Sequence, residues 1–518
     1  MLRFTTAAVL AALVLAPSAL ASGSAWNEEA NAARTALGRS VDAGYITPEE
    51  RGEYLGIIGR ATSVAARIPS GRADVLESVL AQVAKPKSPT GPRALTLYST
   101  LDENATYLAT HALPADGSDL AAGDGVVYRM FAGQGLQFHP LANAAELNAL
   151  VAANDTDAAH ALVDALAARA IPQPDGSAVW EYEFDYDGEH APWTSGFAQA
   201  VLAQALARAG DVDLAREAFA AVPGKLDLSF AAGPWIRLYS QSRVAVLNAQ
   251  LQAAISIGDY AQIAQDGAAA AYANRMLAAA KAMLPRFDTG HWSRYSLGTE
   301  SDLHYQDYVI DLLKTLAGRT RDTTWLDEAN RLLLYETQPP LMTGADVSRR
   351  LVPRPRDGVR DDLVVRFYLS KISKVALVVD GKAVDGFLWQ GGWHTFRWFG
   401  GKLAPGTHEV RLVASDLAGN AGSADLGSFE VVRDTSPPAL AAAKGSGRVF
   451  WRASDAESAC CRIEVQLTRA GARRTIAATG GRSSVRVPAG YWSVTVVAAD
   501  AAGNTARRPL GLVVGRAD

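Results

Sequence analysis

The sequence predicts a multidomain protein, an α/α toroid (a helical barrel) followed by two all-β sandwiches. Three observations carry that prediction. The chain has 518 residues, more than one ordinary hydrophobic core organises. Between residues 94 and 338, Ala, Leu and Val recur at helical spacing, while aromatic and charged residues collect in the intervening loops. After Gln338-Pro339-Pro340 the period becomes the two-residue alternation of strands, broken by turn residues at short intervals.

The chain opens MLRFTTAAVLAALVLAPSALASGSAW, with Arg3, an apolar stretch over 7–15 and the small-residue site Ala19-Leu20-Ala21. This pattern predicts a signal peptide over 1–21 and a secreted or cell-surface protein that begins near Ser22. The apolar run is too short to span a bilayer, and no later segment is long and apolar enough, so no membrane span is expected in the mature chain.

Residues 22–93 predict an N-terminal helical hairpin and linker. Thr47-Pro48-Glu49-Glu50 is a capping box with Pro at the first helical position. KPKSPTGPR, over 85–93, is a Pro-rich linker. The toroid follows over 94–338, with helices expected over 144–153, 156–170, 195–210, 212–221, 242–257, 261–284, 305–318 and 324–336. Its loops YRMFAGQGLQFHP, WEYEFDYDGEHAPW and GPWIRLYSQSR hold the aromatics and charges. Helices with chemistry in the loops suggest a cleft at one end. A helical-repeat binding scaffold is the competing reading, and the lack of a fixed sequence period argues against it.

The β region divides into modules over 341–433 and 436–518, joined near Ser436-Pro437-Pro438. Each carries a similar late stretch, ASDLAGN over 414–420 and AADAAGN over 498–504. The modules resemble immunoglobulin-like or fibronectin-like modules of bacterial secreted enzymes, which implies spacing or attachment. Trp389, Trp393 and Trp398 are read as core and edge aromatics rather than a polysaccharide-binding row.

Composition excludes some functions. Hydrophobic content is 49%, charged content 20% and net charge −4. No basic field argues for nucleic acid, so an anionic substrate must be held by local Arg or Lys. The two cysteines, Cys460 and Cys461, are neighbours; a strained ring between them and two free thiols both stay open, and neither staples the fold.

Three stretches carry the chemistry. APWTSGFAQAVLAQALARAGD covers 191–211, GPWIRLYSQSRVAVLNAQLQAAISIGDY covers 233–260, and KAMLPRFDTGHWSRYSLGTESDLHYQDYVIDLLKTL covers 281–316. Their order resembles the C-terminal catalytic domain of the D-glucuronyl C5-epimerase family, over residues 95–335. Pro192, Trp193, Ser195 and Gln199 match its Pro-Trp-x-Ser-x-x-x-Gln element. Tyr239 and Val246-Leu247-Asn248 match a Tyr followed by a Val-Leu-Asn helix. Lys281, Met283, Leu284, Pro285, Asp288, Thr289 and Gly290 match the next element, with Tyr295 shortly after and Tyr305 opening the following helix. The animal enzymes differ at three positions: a Glu stands where this chain has Leu238, an Arg where it has Gly298, and a Tyr-His pair where it has Tyr305-Gln306.

The resemblance implies a secreted enzyme that inverts carbon 5 of hexuronate residues in a polysaccharide, with Tyr239, Tyr305 and Tyr295 as catalytic residues. Substrate contacts are expected from Trp193, Gln199, Arg237, Arg243, Asn248, His291, Trp292, Arg294 and His304. The residue chemistry agrees. Moving a proton from one face of C5 to the other needs two acid/base groups and donors for the charge that builds on the carboxylate. A free tyrosine titrates near ~10 and needs a cation beside it to act as a base. Arg237 and Arg243 flank Tyr239, and Arg294 adjoins Tyr295. Trp193, Trp235 or Trp292 would floor a sugar ring.

No cofactor is required and no metal is expected. Asp302, His304 and Asp307 imitate a metal site, but an exposed helix start explains them. The acidic run Glu181, Glu183, Asp185, Asp187, Glu189 is read as a solvated loop, its alternative being a carboxylate pair for glycoside hydrolysis. The expected partner is a uronate-containing polysaccharide, with room for a homodimer. Two other readings stand beside the epimerase. One is a lyase or hydrolase of the same polymers; the other is a non-catalytic glycan-binding or cell-wall protein, favoured by Leu238 and Gly298.

Overall fold

The computed structural model describes residues 23–123 and 125–515. The expected signal peptide lies outside the described residues. The chain divides into two compact units, one up to Leu333 and one from Leu334.

The first unit is helical. It begins with α1 (Gly23–Asp42), α2 (Pro48–Ala65), α3 (Ser70–Ala84) and α4 (Gly91–Thr110). The capping box at α2 forms as expected: Glu50 N–H donates to Thr47 Oγ1, and Thr47 N–H to the Glu50 carboxylate. The expected hairpin is instead a group of four helices with its own buried core, including Leu37, Ile58, Leu76, Leu80 and Tyr98. Residues 91–93, assigned to a linker, open α4. Pro92 sits in its first turn, where the missing N–H costs nothing, so a breaker in sequence is a helix start in space.

The remaining helices are α5 (Pro140–Ala153), α6 (Thr156–Arg169), α7 (Gly196–Arg208), α8 (Val212–Ala220), α9 (Leu247–Ala264), α10 (Gly267–Phe287), α11 (Leu303–Thr320) and α12 (Thr323–Tyr335). α5, α7, α9 and α11 pack side by side in that order, and α6, α8 and α10 pack against α5, α7 and α9 respectively. α7 is buried from Gly196 to Ala207 and α9 over most of its length. Their buried residues are mostly apolar, and the polar ones among them, such as Gln199 and Gln250, are hydrogen-bonded to neighbouring backbone; their alanines let neighbouring helices approach closely. Asn154, Gln265 and Arg321 end α5, α9 and α11 in the left-handed region, a common way to satisfy the last carbonyls.

The second unit holds two pairs of sandwich-like sheets. In the first module, strands Met342–Val347, Asp362–Leu369 and Gly392–Phe399 form one sheet. Arg350–Leu351, Ala421–Val431, Gly406–Asp416, Ser373–Val379 and Lys382–Trp389 form the other. In the second module, Ala439–Gly445, Arg448–Ser454 and Arg482–Arg486 face Ala472–Thr479, Arg462–Arg469, Gly490–Ala499 and Thr505–Gly515. Inward residues such as Leu363, Val365, Phe367 and Leu412, or Val449, Trp451, Ile463 and Val465, fill the cores. Trp393, on the edge strand Gly392–Phe399, is 55% exposed, with the Arg366 guanidinium 4.8 Å from its ring centre. Cys460 and Cys461 are bonded to each other.

Candidate active site

The loops of the helical unit converge on a cluster of aromatic side chains. One wall is the segment from Trp180 to Trp193. Its alternation divides the side chains: Tyr182, Phe184 and Tyr186 join the aromatic cluster, and Glu181, Glu183 and Asp185 face basic residues. Backbone bonds Tyr182–Trp193 (2.8 and 3.1 Å) and Tyr186–Glu189 hold it as a ribbon. The Trp193 ring lies flat on Tyr182, with centroids 3.9 Å apart, and its N–H donates to the Phe184 carbonyl.

The acidic run is therefore not a solvated loop. Arg93 binds Glu181 at 2.5 Å and Glu183 at 3.2 Å. Burial, with Glu181 beside it, pushes the Glu183 carboxyl up to about 8. Lys85 pairs with Asp185, and Glu189 accepts from the Gln241 N–H at 3.0 Å. These carboxylates fasten the ribbon to the N-terminal helices and to the next loop. They are engaged in pairs and do not form the two-carboxylate arrangement of a glycosidase.

Tyr239 stands on the loop before α9. Gly196, the first residue of α7, makes room for that loop: a Cβ there would overlap the carbonyls of Leu226 and Arg237. Phe197 N–H donates to the Arg237 carbonyl, and Ser240 N–H to the Thr194 carbonyl at 2.7 Å. The Tyr239 ring meets Trp193 edge-on at 5.0 Å and Tyr186 at 5.9 Å.

Tyr295 and Tyr305 form the other wall, with ring centroids 4.7 Å apart. Asp302 caps α11 by accepting the Tyr305 N–H at 2.8 Å. After α10 ends at Phe287, Thr289 Oγ1 bonds both the N–H and the carbonyl of Trp292. The Trp292 indole is fully buried and donates to the Ser301 carbonyl. The loop thus buries a tryptophan and presents Arg294 and Tyr295 two and three residues later.

The electrostatics differ from the expectation that flanking arginines would ease tyrosine ionisation. Burial pushes the Tyr239 hydroxyl well above its ordinary range, and Tyr186, Tyr295 and Asp187 push it further. Tyr295 is raised by burial and by Tyr305. Tyr305 is raised by burial, Asp302 and Tyr186, but the Arg129 guanidinium opposes the rise. Arg129 likewise opposes it at Tyr186 and Tyr182. Desolvation wins at every one of these tyrosines.

Arg129 is the cation that sequence reasoning missed. It lies on Val127–Phe131 and binds Asp119 through two parallel bonds of 2.7 Å. Burial works against its charge, but Asp119 outweighs that and holds its pKa above the ordinary value. His139, also missed, is buried against Tyr182 at 5.2 Å. Its Nδ1 accepts the Ala142 N–H, and burial followed by Arg129 keeps the ring well below its usual pKa. Tyr182 and Tyr186 complete the set. The signal for Arg129, Tyr182 and Tyr186 was the two-residue alternation in VYRMF and EYEFDYD.

Several expected substrate contacts serve the scaffold instead. Gln199 is buried; its Oε1 accepts the Trp180 N–H, and its amide donates to the Ala178 and Ala218 carbonyls. Trp292 is core, as is Trp235, stacked on Phe287. Arg237 donates to the carbonyls of Asp227, Ser240 and Ser242 and shapes the Tyr239 loop. Gln306 is buried and joins Ser293 to Leu332. Arg243 and His304 are exposed, and His291 and Arg294 half-buried. Asn248, in the first turn of α9, keeps a buried Oδ1 without a hydrogen-bond partner. Trp193, Tyr239, Tyr295 and Tyr305 are the predicted residues that the structure draws into the aromatic site.

No curated protein sequence matches the chain. Among solved structures, cellobiose 2-epimerase from Bacillus thermoamylovorans is 12% identical, with 52% of this chain and 74% of that chain covered and a TM-score of 0.33. Fibronectin(III)-like modules of Clostridium thermocellum CbhA are 11% identical over 34% of this chain and 94% of that one, with a TM-score of 0.17. Residues 174–333, which carry Trp193, Tyr239, Tyr295 and Tyr305, match the family described as D-glucuronyl C5-epimerase C-terminus.

Proposed function

We propose that the protein is a carbohydrate epimerase that inverts carbon 5 of hexuronate residues, glucuronate or iduronate, within a secreted polysaccharide. The observation that carries this reading is the gathering of Tyr239, Tyr295 and Tyr305 in one aromatic site, with the charged Arg129 acting on Tyr305; all three tyrosines lie inside the family-matched segment. Tyr305 is the base in this reading, because Arg129 favours its phenolate. It takes the C5 proton, and the electron pair delocalises into the adjacent carboxylate. Tyr239 is the acid, because burial keeps it protonated and no cation opposes that. It returns a proton to the other face of C5, and the configuration inverts with no net change in atoms. Tyr295 lies against Tyr305 and positions the ring. Trp193 supports a sugar face, and the unpartnered Asn248 Oδ1 accepts from a sugar hydroxyl.

The side-by-side packing of α5, α7, α9 and α11 within a second set of helices supports an α/α toroid. The paired sheets support immunoglobulin-like modules that space or attach the enzyme. The test is proton NMR of uronate polymers incubated with the protein in deuterated water. Wild-type protein is expected to introduce deuterium at C5 of an accepted polymer. Tyr239→Phe and Tyr305→Phe are each expected to slow this ~10²–10⁴-fold while keeping the melting temperature. Parental rates in both variants would overturn the two-tyrosine mechanism. Formation of an unsaturated product would establish a lyase, and an inert wild-type protein with every polymer tried would favour glycan binding.

A further inference from the structure

The two β modules are built on the same repeat, and the repeat exposes a difference between them. Each opens on an acidic residue, Thr, any residue and Pro-Pro: Glu336-Thr337-Gln338-Pro339-Pro340 and Asp434-Thr435-Ser436-Pro437-Pro438. Each has a late Asp-x-Ala-Gly-Asn turn, Asp416 to Asn420 and Asp500 to Asn504. The turns share their backbone bonds, and they differ at the second aspartate oxygen, where the Asn420 amide donates to Asp416 Oδ2 at 2.9 Å and Asp500 Oδ2 has no partner. Asp416 Oδ1 accepts the Asn420 N–H and Asp500 Oδ1 the Asn504 N–H, both at 2.8 Å. The Asn420 amide donates to the Glu336 carbonyl, and the Asn504 amide to the Asp434 carbonyl.

In the first module the other aspartate oxygen is neutralised by a cation from the chain. Asp416 Oδ2 pairs with the Lys371 ammonium, and both side chains are almost completely buried. That ammonium also donates to the carbonyls of Tyr335, at 2.8 Å, and Gln338. Lys371 comes from the short connection between Asp362–Leu369 and Ser373–Val379.

In the second module the corresponding connection, between Arg448–Ser454 and Arg462–Arg469, reads DAESACC and contains no basic residue. It supplies Asp455 instead. Asp434, Asp455 and Asp500 each place a carboxylate oxygen within 4.8 Å of the others. Asp500 is only 7% exposed, and its Oδ2 is buried without a hydrogen-bond partner. This is the atom that matches the Lys371-bound oxygen of Asp416. Among the described residues, no Lys or Arg forms an ion pair with any of the three aspartates. Backbone N–H groups of Ser436, Glu457, Ser458 and Asn504 hold one oxygen of each carboxylate and fix the others in place.

We propose that Asp434, Asp455 and Asp500 form a calcium site in the second module, with the ion standing where the first module places the Lys371 ammonium. Three buried or half-buried carboxylates with no counter-cation are strongly unfavourable unless a cation joins them. Oxygens on opposite sides of a calcium ion lie about 4.8 Å apart, twice a typical Ca–O distance of ~2.4 Å, and the three carboxylate oxygens lie within that separation of one another. The donor set is all oxygen, which suits a hard cation and not zinc or copper. Ser458 Oγ, already bonded to Asp434 Oδ2, is placed to turn its oxygen toward the ion.

The test uses the full-length protein stripped with EDTA and titrated with calcium chloride by isothermal calorimetry, with thermal unfolding followed in parallel. One calcium ion per chain is expected, with an affinity in the ~10⁻⁴–10⁻³ M range of extracellular modules or tighter. The melting temperature should rise with calcium, because only the folded state holds the site. Asp500→Asn and Asp455→Asn each keep the oxygen that accepts backbone N–H groups, and each is expected to weaken binding at least about tenfold by lowering ligand charge. Asp455, being partly exposed, keeps the test open if Asp500→Asn does not fold. Absence of both heat and stabilisation up to ~10 mM calcium, a range set by the weakest such modules, would overturn the site. Wild-type affinity in the folded variants would overturn it equally.

Discussion

In the proposed mechanism the hydroxyl of Tyr305 and the guanidinium of Arg129 set the chemistry at the scale of single residues. A buried tyrosine resists ionisation because the phenolate loses more hydration than the neutral ring. Tyr239 meets no opposing cation, so it is suited to give a proton; Tyr305 has one, so it is the better acceptor. The pH dependence follows. A base must be deprotonated, and the folded-state pKa of Tyr305 lies above its free value, so kcat/KM should rise with pH into the alkaline range. Arg129→Gln removes the charge that favours the phenolate. The alkaline rise should therefore move to higher pH, as measured by pH–rate profiles of deuterium incorporation. An unmoved profile with a lower plateau would show that Arg129 acts only on the substrate. Leu238, where the animal enzymes have Glu, packs against the core here, so that position supplies no carboxylate to the tyrosines.

At the scale of elements, the ribbon from Trp180 to Trp193 positions the site, and α7 positions the ribbon. Gln199 is the joint: one buried amide closes three backbone bonds, at Trp180, Ala178 and Ala218. Gln199→Ala leaves those buried groups without partners at a cost of about 1–3 kcal/mol for each group left unsatisfied. The variant should lower the denaturant midpoint sharply, and any loss of activity should follow the loss of folded protein. Wild-type stability with activity abolished would return Gln199 to the substrate. The contrast with Tyr239→Phe and Tyr305→Phe separates a scaffold residue from the proposed reacting ones. The periodicity of sequence located most of these helices, because apolar faces repeat wherever a helix is buried, but the expected break between 257 and 261 falls inside α9 (Leu247–Ala264). It did not identify the ribbon, because EYEFDYD places acids and aromatics on opposite sides, and only the partners Arg93 and Lys85 reveal which side faces inward.

At the scale of the whole molecule, the two compact units meet the chain at Leu333–Leu334, close to the change of period at Gln338. Each has its own buried core, so the helical unit should fold by itself. A fragment of residues 23–333 is expected to unfold in one cooperative thermal transition by circular dichroism. A broad, non-cooperative melt would mean that the β modules complete the helical core. No helix among the described residues is long and apolar enough to cross a membrane.

The sequence by itself determined the order of the architecture, the change from helix to strand and the three tyrosines, since periodicity, capping residues and an ordered set of motifs are local properties of the chain. It also marked the repeated Asp-x-Ala-Gly-Asn turns. Only the tertiary structure decided which polar residues face the site. Arg237 lies in the same stretch as Tyr239, Trp292 in that of Tyr295, and Gln199 in the family's first element, yet the fold directs all three to backbone carbonyls and the core. Arg129 and His139 lie far from those motifs in sequence and are brought beside them by the packing of Val127–Phe131 against the ribbon. A linear pattern records which face of an element is apolar. Which partner a buried charge meets, and so whether it becomes a strut or a reacting group, depends on contacts between segments distant along the chain.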